Sequence, residues 1–303
     1  MPLWIIGDRL RIDNPDFAHA LRMRNPSLVE ELVRQQVDTG VGGLLVDLGA
    51  EHAGQAQVMN WVLQVAQAEA PVPLAVRTAD IEALRLAAGR VRRSLMVDAT
   101  APTVQDWRPF LRLAREKEAY LVLPAAPGGR PAEAASRARY VARQLLPWAQ
   151  QAGIAPDRLF VDICPAAVAH DRAGAPVAIE MMLLLRQVLQ HPPQLLVHLA
   201  EVSAGAAGPH QRLIHRTYLA MLLGAGLDAA VVDPLDEQLR RSVRVVEQRD
   251  SASSLGRLLA SVQQAVCEER GLRPDDLDPA DPEQQAIAKT VRLLRGEVAY
   301  RDW

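Results

Sequence analysis

Cysteine is nearly absent from this 303-residue sequence. Cys164 and Cys267 are too few for a disulfide framework or a cysteine-rich zinc site. Long apolar runs are also missing, since the longest uncharged one, residues 218–227, is about half of what a membrane span needs. The chain reaches a charge at Asp8, too early for a secretory signal. We therefore expect a cytoplasmic protein with no membrane partner.

Lysine is scarce as well, because only Lys117 and Lys289 occur among 34 basic residues. Both lie in charged, helix-like segments, so neither fits the buried strand-end lysine that a Schiff-base mechanism needs. The sequence contains no Gly-Lys-Ser/Thr and therefore no P-loop. The formal net charge of −2 gives no sign of the basic face that marks nucleic-acid binders, and no nucleic-acid partner is expected.

Short, nearly all-apolar runs of β type alternate with helical stretches along most of the chain. Eight such units in about 240 residues indicate a (β/α)8 TIM barrel, whose parallel strands are covered on both faces. The predicted strands are residues 3–7, 43–48, 72–76, 94–97, 119–123, 159–163, 194–199 and 228–232. An open doubly wound sheet is the alternative, but it would normally carry a glycine-rich turn where this sequence has Gly7-Asp8-Arg9.

The intervening segments have apolar residues at helical spacing. Asn25 followed by Pro26 is typical of a helix start, and Gly40 of a helix end. The predicted helices are residues 27–39, 80–88, 103–117, 133–151, 176–189 and 212–223.

The pattern changes after the eighth strand, where residues 240–285 form an insertion in a single domain that spans residues 1–303. Its parts are a predicted amphipathic helix at 254–269 and a solvated, Asp- and Pro-rich connector at 273–283, before helical spacing resumes at 284–295. An apolar stripe on the first helix favours burial against the barrel or a dimer partner. The stripe consists of Leu258, Leu259, Val262 and Val266.

Polar side chains, mostly carboxylates, end nearly all the predicted strands. In strand order they are Asp8, Asp47, Arg77, Asp98, Asp162, His198 with Glu201, and Asp233, and only the fifth strand ends on Pro124. A single acid of this kind could equally cap a helix or pair with an arginine. Six at equivalent strand ends favour a functional mouth, because barrel chemistry lies at the C-terminal ends of the strands.

The side chains of this mouth constrain its ligand. A ring of carboxylates could hold a divalent metal, but metal-dependent barrels usually add histidines, and His198 is alone. We therefore expect no metal and a packed or hydrogen-bonded His198. A neutral heterocycle fits better, because fixed carboxylates accept N–H groups pairwise. A phosphate fits poorly beside Glu201, and the glycine-rich loop 203–210 is either a gate or a slack connector.

Several segments together resemble a known family, the methyltetrahydrofolate:corrinoid methyltransferases, which belong with dihydropteroate synthase to the pterin-binding barrels. The stretches at 212–221 and 226–230 are the most specific part of the resemblance. The remaining segments are residues 5–10, 24–49, 59–61 and 293–303, so the resemblance spans nearly the whole chain.

This resemblance implies a barrel, usually a homodimer, that binds methyltetrahydrofolate by its pterin ring. The methyl group passes to cobalt(I) of a corrinoid carried by a partner protein. The family activates N5 of the pterin through a hydrogen-bond network and without a metal.

The resemblance implies which residues form the site, but only some of them are the residue types that the family has at these positions. Asp162 matches the family's pterin-binding aspartate, and Asp8 replaces a glutamate. Asp47 and Asp98 each stand where the family has an asparagine, and a neighbouring aspartate has become Leu45. Arg77 stands where the family has an aspartate.

Around the seventh strand the departures continue. Glu201 replaces the asparagine that contacts N5, and Ala204 and Gly205 replace polar side chains. Dihydropteroate synthase fits less well, because its Ser-Arg-Lys and Arg-x-His motifs after strands 7 and 8 are missing. The predicted site comprises catalytic Glu201 and substrate-binding Asp8, Asp47, Arg77, Asp98, Asp162 and Ser203.

Three hypotheses follow. In the first, the chain is a methyltransferase in which Glu201 protonates N5 directly while Asp98 and Asp162 hold the pterin. In the second, the pocket holds another small molecule, and Arg77 pairs with a ligand carboxylate. In the third, the chain is a catalytically degenerate binding or scaffold protein, and Arg77 merely neutralises Asp98 or Glu201.

Other polar residues have structural explanations that we prefer. Cys164 is expected in the core, since no basic neighbour in sequence lowers its pKa. For Arg216 and Asp233, an ion pair at the mouth is as consistent with the sequence as a ligand contact.

Overall fold

Eight parallel strands close into a barrel in chain order in the computed structural model, which describes residues 2–49, 55–92, 94–101, 104, 106–126 and 133–303. The strands are β1 Trp4–Arg11, β2 Gly43–Asp47, β3 Leu74–Arg77, β4 Leu95–Asp98, β5 Tyr120–Pro124, β6 Leu159–Asp162, β7 Gln194–His198 and β8 Ala229–Val232. All eight predicted strands are present, and pairing of β1 with β8 excludes the open sheet. The predicted TIM barrel is therefore confirmed.

Helices follow the strands and form the outer layer. They are α1 Pro15–Met23, α2 Pro26–Val37, α3 Gln55–Glu69, α4 Ile81–Ala88, α5 Arg108–Glu116, α6 Ala134–Tyr140, α7 Leu146–Gln151, α8 Gly174–Val188, α9 Leu199–Val202, α10 Gly208–Gly224, α11 Glu237–Glu247, α12 Ser254–Cys267 and α13 Pro282–Leu294. Asn25 caps α2 as predicted, because its side chain accepts a hydrogen bond from the Ser27 N–H at 3.0 Å. No helix of the described residues is long and apolar enough to cross a membrane.

Two predicted helices differ from the observed ones. The helix predicted at 133–151 is divided by a π-helical turn, Val141–Leu145, between α6 and α7. Pro147, near the start of α7, has no N–H to continue the regular ladder, which explains the wider turn before it. The helix predicted at 103–117 is observed as α5, and its predicted start at Thr103 lies outside the described residues.

The segment after β8 packs on the outside of the barrel. Helices α11, α12 and α13 all contact α10, and α12 also contacts α11. The apolar stripe of α12 is buried as predicted, with Leu258, Leu259 and Val262 each 1% exposed. The part predicted as a connector contains one short 3-10 turn, Pro274–Asp276, and most of its residues are solvent-exposed or partly so.

The barrel interior is a packed apolar core at all but its C-terminal end. Its inward side chains are Ile6, Leu45, Ala75, Met96, Val122, Phe160, Leu196, Ala229 and Val231. Trp4 closes the opposite end, with ring centroids 5.0 Å from Tyr120 and 5.3 Å from Phe160. Since these side chains fill the interior, a ligand site inside the barrel is expected at the C-terminal mouth, where barrel chemistry lies.

Candidate functional site at the C-terminal mouth

The polar strand ends form the next layer above the apolar interior. Side chains alternate along a strand, so a residue two positions after an inward side chain also faces inward. Asp47 follows Leu45 at this spacing, and Arg77 follows Ala75. The same spacing applies to Asp98, Pro124, Asp162, His198 and Asp233, each two positions beyond an apolar side chain of the interior. The strand period therefore brings together the predicted residues of the strand ends, whereas Glu201 and Ser203 lie on α9 and directly after it.

Arg77 lies at the centre of this layer and bridges it. Its Cα pairs in register with Asp47 on β2 and Asp98 on β4. Its Nη2 donates to Glu201 Oε1 at 2.8 Å and to the Thr100 carbonyl at 3.2 Å, while Nη1 lies 3.7 Å from Asp47 Oδ2. Burial alone would lower the pKa of Arg77, but the surrounding carboxylates offset it and raise the pKa above its usual value.

Asp98 is held by a second contact across the mouth. Its Oδ2 lies 3.0 Å from His198 Nε2, and its Oδ1 accepts hydrogen bonds from the Thr100 N–H at 3.0 Å and from Thr100 Oγ1 at 2.6 Å. His198 is fully buried and hydrogen-bonded, as predicted. All polar positions of Asp98 thus have protein partners in this structure.

The Asp98–His198 pair determines the charge state of both groups. Burial alone would raise the pKa of Asp98, but His198, Arg77 and the Thr100 hydroxyl lower it to about 2. Burial alone would lower the pKa of His198, but Asp98 offsets this and leaves it above its usual value. The pair therefore favours a carboxylate and an imidazolium.

Asp162 has the opposite environment, although it ends β6, the strand next to the one that carries His198. Its Oδ1 accepts the Cys164 N–H at 3.1 Å, and its Oδ2 lies 3.5 Å from Cys164 Sγ. Among the described residues, no cationic side chain lies within ion-pair distance of it. Burial raises the pKa of Asp162 to about 6, with the charge of His198 opposing and that of Glu201 reinforcing the shift. Asp162 is a buried acceptor with little protein compensation.

The backbone after β6 is fixed by a residue that the sequence analysis missed. Arg137 on α6 is buried and donates from Nη1 to the carbonyls of Ile163 and Cys164, at 3.1 and 3.0 Å. Cys164 has a left-handed φ of 47°, and these bonds support that conformation beside Asp162. The only sequence signal was an arginine on the apolar face of a predicted helix. Cys164 is only partly buried, so its predicted place in the core is wrong, but desolvation raises the pKa of its thiol, which agrees with the predicted lack of nucleophilic character.

Asp8 and Asp233 occupy the side of the mouth nearest β1. Arg11 Nη1 lies 3.6 Å from Asp8 Oδ2, and Arg9 pairs with Asp233 at 3.2 Å. Burial raises the pKa of Asp8 to about 6, with Arg11 opposing and Asp233 reinforcing the shift. Asp233 thus has an ion pair, although not with Arg216.

The remaining predicted contacts lie further along the chain. Arg216 pairs with Glu283 of α13 at 2.9 Å. Ser203 is buried, and its Oγ lies 2.6 Å from His215 Nε2 on α10. Burial lowers the pKa of His215 to about 4, so at neutral pH it pairs with Ser203 as an uncharged ring. Loop 203–210 is therefore attached to α10 at its first residue.

The acids of the mouth do not converge on a point. Within the part of the chain that the structure describes, no group of three His, Cys, Asp or Glu side chains has the arrangement of metal ligands. The mouth offers one compensated acid, Asp98, two acids whose pKa is raised by burial, Asp8 and Asp162, and an arginine paired to Glu201. This arrangement can accept N–H donors at Asp162 and can bind an anion at Arg77 if Glu201 leaves.

Solved structures that share this architecture include dihydropteroate synthases. That from Stenotrophomonas maltophilia, with imidazole in its active site, is 14% identical with a TM-score of 0.61 over 83% of this chain and 94% of its own. The Xanthomonas albilineans enzyme with 7,8-dihydropteroate is 16% identical with a TM-score of 0.61, again over 83% and 94%. The Coxiella burnetii enzyme with pteroic acid is 14% identical with a TM-score of 0.60 over 83% and 95%.

At these identities the likeness establishes the fold. The chain shares the eight-stranded parallel barrel fold of these enzymes. No protein-family model matches the sequence.

Proposed function

We propose that this protein binds a pterin-like heterocycle at the barrel mouth, with Asp162 accepting its N–H groups. The observation that carries the proposal is the buried Asp162 carboxylate, whose Oδ2 has no described partner closer than the Cys164 thiol at 3.5 Å. A pterin presents an amino group and a ring N–H side by side, which matches the two oxygens of a carboxylate. The barrel fold that the chain shares with dihydropteroate synthases supports this ligand class.

The other predicted binding residues differ in whether they are free to contact a ligand. Asp8 and Asp47 are partly exposed at the mouth, where each can turn a carboxylate oxygen towards a ligand. Asp47 Oδ1 already accepts the Gly49 N–H at 2.9 Å, which leaves its Oδ2 for that contact. Asp98 and Ser203 already bond to His198 and His215, so a direct ligand contact by either requires that bond to open. We therefore assign the main contact to Asp162.

Calorimetric titration with pterin and with methyltetrahydrofolate tests the binding proposal. We expect micromolar binding to the natural protein and at least tenfold weaker binding to Asp162→Asn, whose side-chain amide replaces one acceptor oxygen with a donor. Asp157→Asn is the matched control, because Asp157 is exposed before β6 and should leave binding unchanged. Absence of binding at millimolar ligand, or equal affinity of both variants, would reject the proposal.

The finer form of the proposal is methyl transfer from methyltetrahydrofolate to cobalt(I) of a corrinoid carried by a partner protein. Glu201 would supply a proton to N5, because an amine anion is a very poor leaving group. Its carboxylate is engaged with Arg77 at 2.8 Å, so this role requires the ion pair to open when the pterin enters and Glu201 to take up a proton from water before it donates one to N5. A homodimer and a cytoplasmic location belong to the same proposal.

A second candidate is a binding protein of the same fold without methyl transfer. The Arg77–Glu201 ion pair favours it, since the pair engages the proposed proton donor. Turnover with free cob(I)alamin, followed by its absorbance, separates the two candidates. Turnover that is lost in Glu201→Gln supports methyl transfer, whereas pterin binding without turnover supports the binding protein.

A further inference from the structure

We propose that Arg77 is a specificity-determining residue that binds a carboxylate of the ligand, and that Glu201 holds its place until the ligand arrives. The inference rests on the proposed pterin site, since it concerns the same mouth. It narrows the ligand class to an N–H-bearing heterocycle that carries a carboxylate on the ring or on a short arm.

The guanidinium of Arg77 is bound less completely than its burial would lead one to expect. Its side chain is only 7% exposed, yet it makes a single short hydrogen bond to a carboxylate, from Nη2 to Glu201. Asp47 lies beyond hydrogen-bond distance at 3.7 Å, and Nε has no partner among the described residues. A planar guanidinium can bind both oxygens of one carboxylate, and that capacity is unused here.

Glu201 is the partner that can leave at the lowest cost. Its side chain is 31% exposed, whereas those of Asp98 and Asp162 are buried on strands. It lies on α9, which has only four residues and is followed by a turn with Gly205 at a φ of 80°. A displaced Glu201 therefore moves towards water, and a ligand carboxylate that replaces it preserves the charge beside Arg77.

The charge of the site also selects against other ligands. A neutral ring cannot replace Glu201 as a counter-charge of Arg77, so its entry would leave the guanidinium with Asp47 at 3.7 Å and without its one short hydrogen bond to a carboxylate. A cationic substituent at this point would be repelled by the positive charge of Arg77. A ligand that bonds Asp162 through N–H groups and reaches Arg77 through a carboxylate satisfies both groups, which lie in the same inward layer of the barrel.

Two matched probes test the inference by calorimetry, pterin-6-carboxylate and the neutral 6-methylpterin. In Glu201→Gln we expect at least fivefold tighter binding of pterin-6-carboxylate and no gain for 6-methylpterin, because the competing carboxylate is gone. Arg77→Lys keeps the charge but loses the planar guanidinium that can donate to both oxygens of a carboxylate. In this variant, the ratio of the affinity for pterin-6-carboxylate to that for 6-methylpterin should fall at least fivefold. Arg77→Met should remove the preference for the carboxylate if that variant folds.

A surface pair supplies the control. Glu31 on α2 bonds Arg34 at 3.2 Å, and Glu31→Gln should change the affinity of neither probe. Equal effects of the Glu201 and Arg77 variants on both probes would overturn the inference while leaving pterin binding intact. Failure of both probes to bind the folded natural protein and Glu201→Gln would instead overturn the proposed function and this inference together.

Discussion

Arg77 and Glu201 form an ion pair across the barrel mouth, with Nη2 and Oε1 2.8 Å apart. Arg77 ends β3, and Glu201 lies three residues beyond β7, the strand on the opposite side of the eight-stranded ring. The contact is therefore a bridge between strands that share no backbone hydrogen bonds. A ligand that enters the mouth must lie against this bridge or open it.

The Asp98–His198 pair should stabilise the fold more than any exposed ion pair. Asp98→Asn leaves a buried imidazole without its counter-charge, and we expect the free energy of unfolding to fall by about 3–5 kcal/mol at pH 6. Urea denaturation measures the change. Asp157→Asn, in an exposed turn, should unfold like the natural protein, and an equal loss in both variants would contradict the prediction.

The pH dependence of that pair has a defined sign. The pKa of Asp98 is lowered to about 2, so its contribution is present above its unfolded value of 3.8 and is lost as the pH falls through 2. The pKa of His198 is raised, so its contribution is complete below 6.5 and is lost as the pH rises through its folded value. NMR titration should show that the His198 ring is still charged just above pH 6.5 in the natural protein. At the same pH, the ring should be neutral in Asp98→Asn.

Asp162 should destabilise the protein at high pH. Its pKa of about 6 exceeds the unfolded value of 3.8, so the proton it holds stabilises the fold below 3.8 and this contribution is lost as the pH rises through 6. Between pH 4 and pH 8, the free energy of unfolding of Asp162→Asn should therefore rise relative to that of the natural protein by up to about 3 kcal/mol. Unfolding midpoints at the two pH values test this, and an unchanged difference would contradict it.

Ligand binding should depend on pH through the same group. A pterin donates its N–H groups to the ionised form of Asp162, so affinity should decrease as the pH falls below about 6, by about tenfold per pH unit. Titration at pH 7, 6 and 5 measures the decrease. A pH-independent affinity in that range would remove Asp162 from the proposed contact.

The apolar stripe on α12 should contribute to the stability of the barrel. Leu259 is 1% exposed, and Leu259→Ala should lower the free energy of unfolding by about 2–5 kcal/mol through lost burial and a cavity. Leu86 on α4 is 55% exposed, and Leu86→Ala should cost less than about 1 kcal/mol. Thermal or urea unfolding compares the two, and similar losses would show that α12 does not pack on α10 as described.

The fold could be predicted because the burial of each strand is visible in its own short stretch of sequence. Runs such as 159–162 and 229–232 are apolar at successive positions, which is typical of parallel strands covered on both faces. The π-turn at Val141–Leu145 and the short helix α9 were not predicted, because hydrophobic spacing does not locate such short irregularities.

The candidate site was predictable in part for a similar reason. The strand period places every second residue inside, so the strand ends could be assigned to one mouth without knowledge of any contact. The pairing of these residues could not be assigned, since the sequence offered both Asp98 and Glu201 as partners of Arg77. Arg137 was missed because its carbonyl partners, those of Ile163 and Cys164, are backbone groups with no sequence signature.

The sequence by itself determined the barrel and the layer of polar residues at its mouth, because periodicity and strand burial are local properties of the chain. The tertiary structure alone decided which charges compensate one another. It places His198 against Asp98 and Glu201 against Arg77, and it leaves Asp162 without a close cation among the described residues. Electrostatic interactions fall with distance and depend on burial, and both are set only when strands far apart in sequence meet.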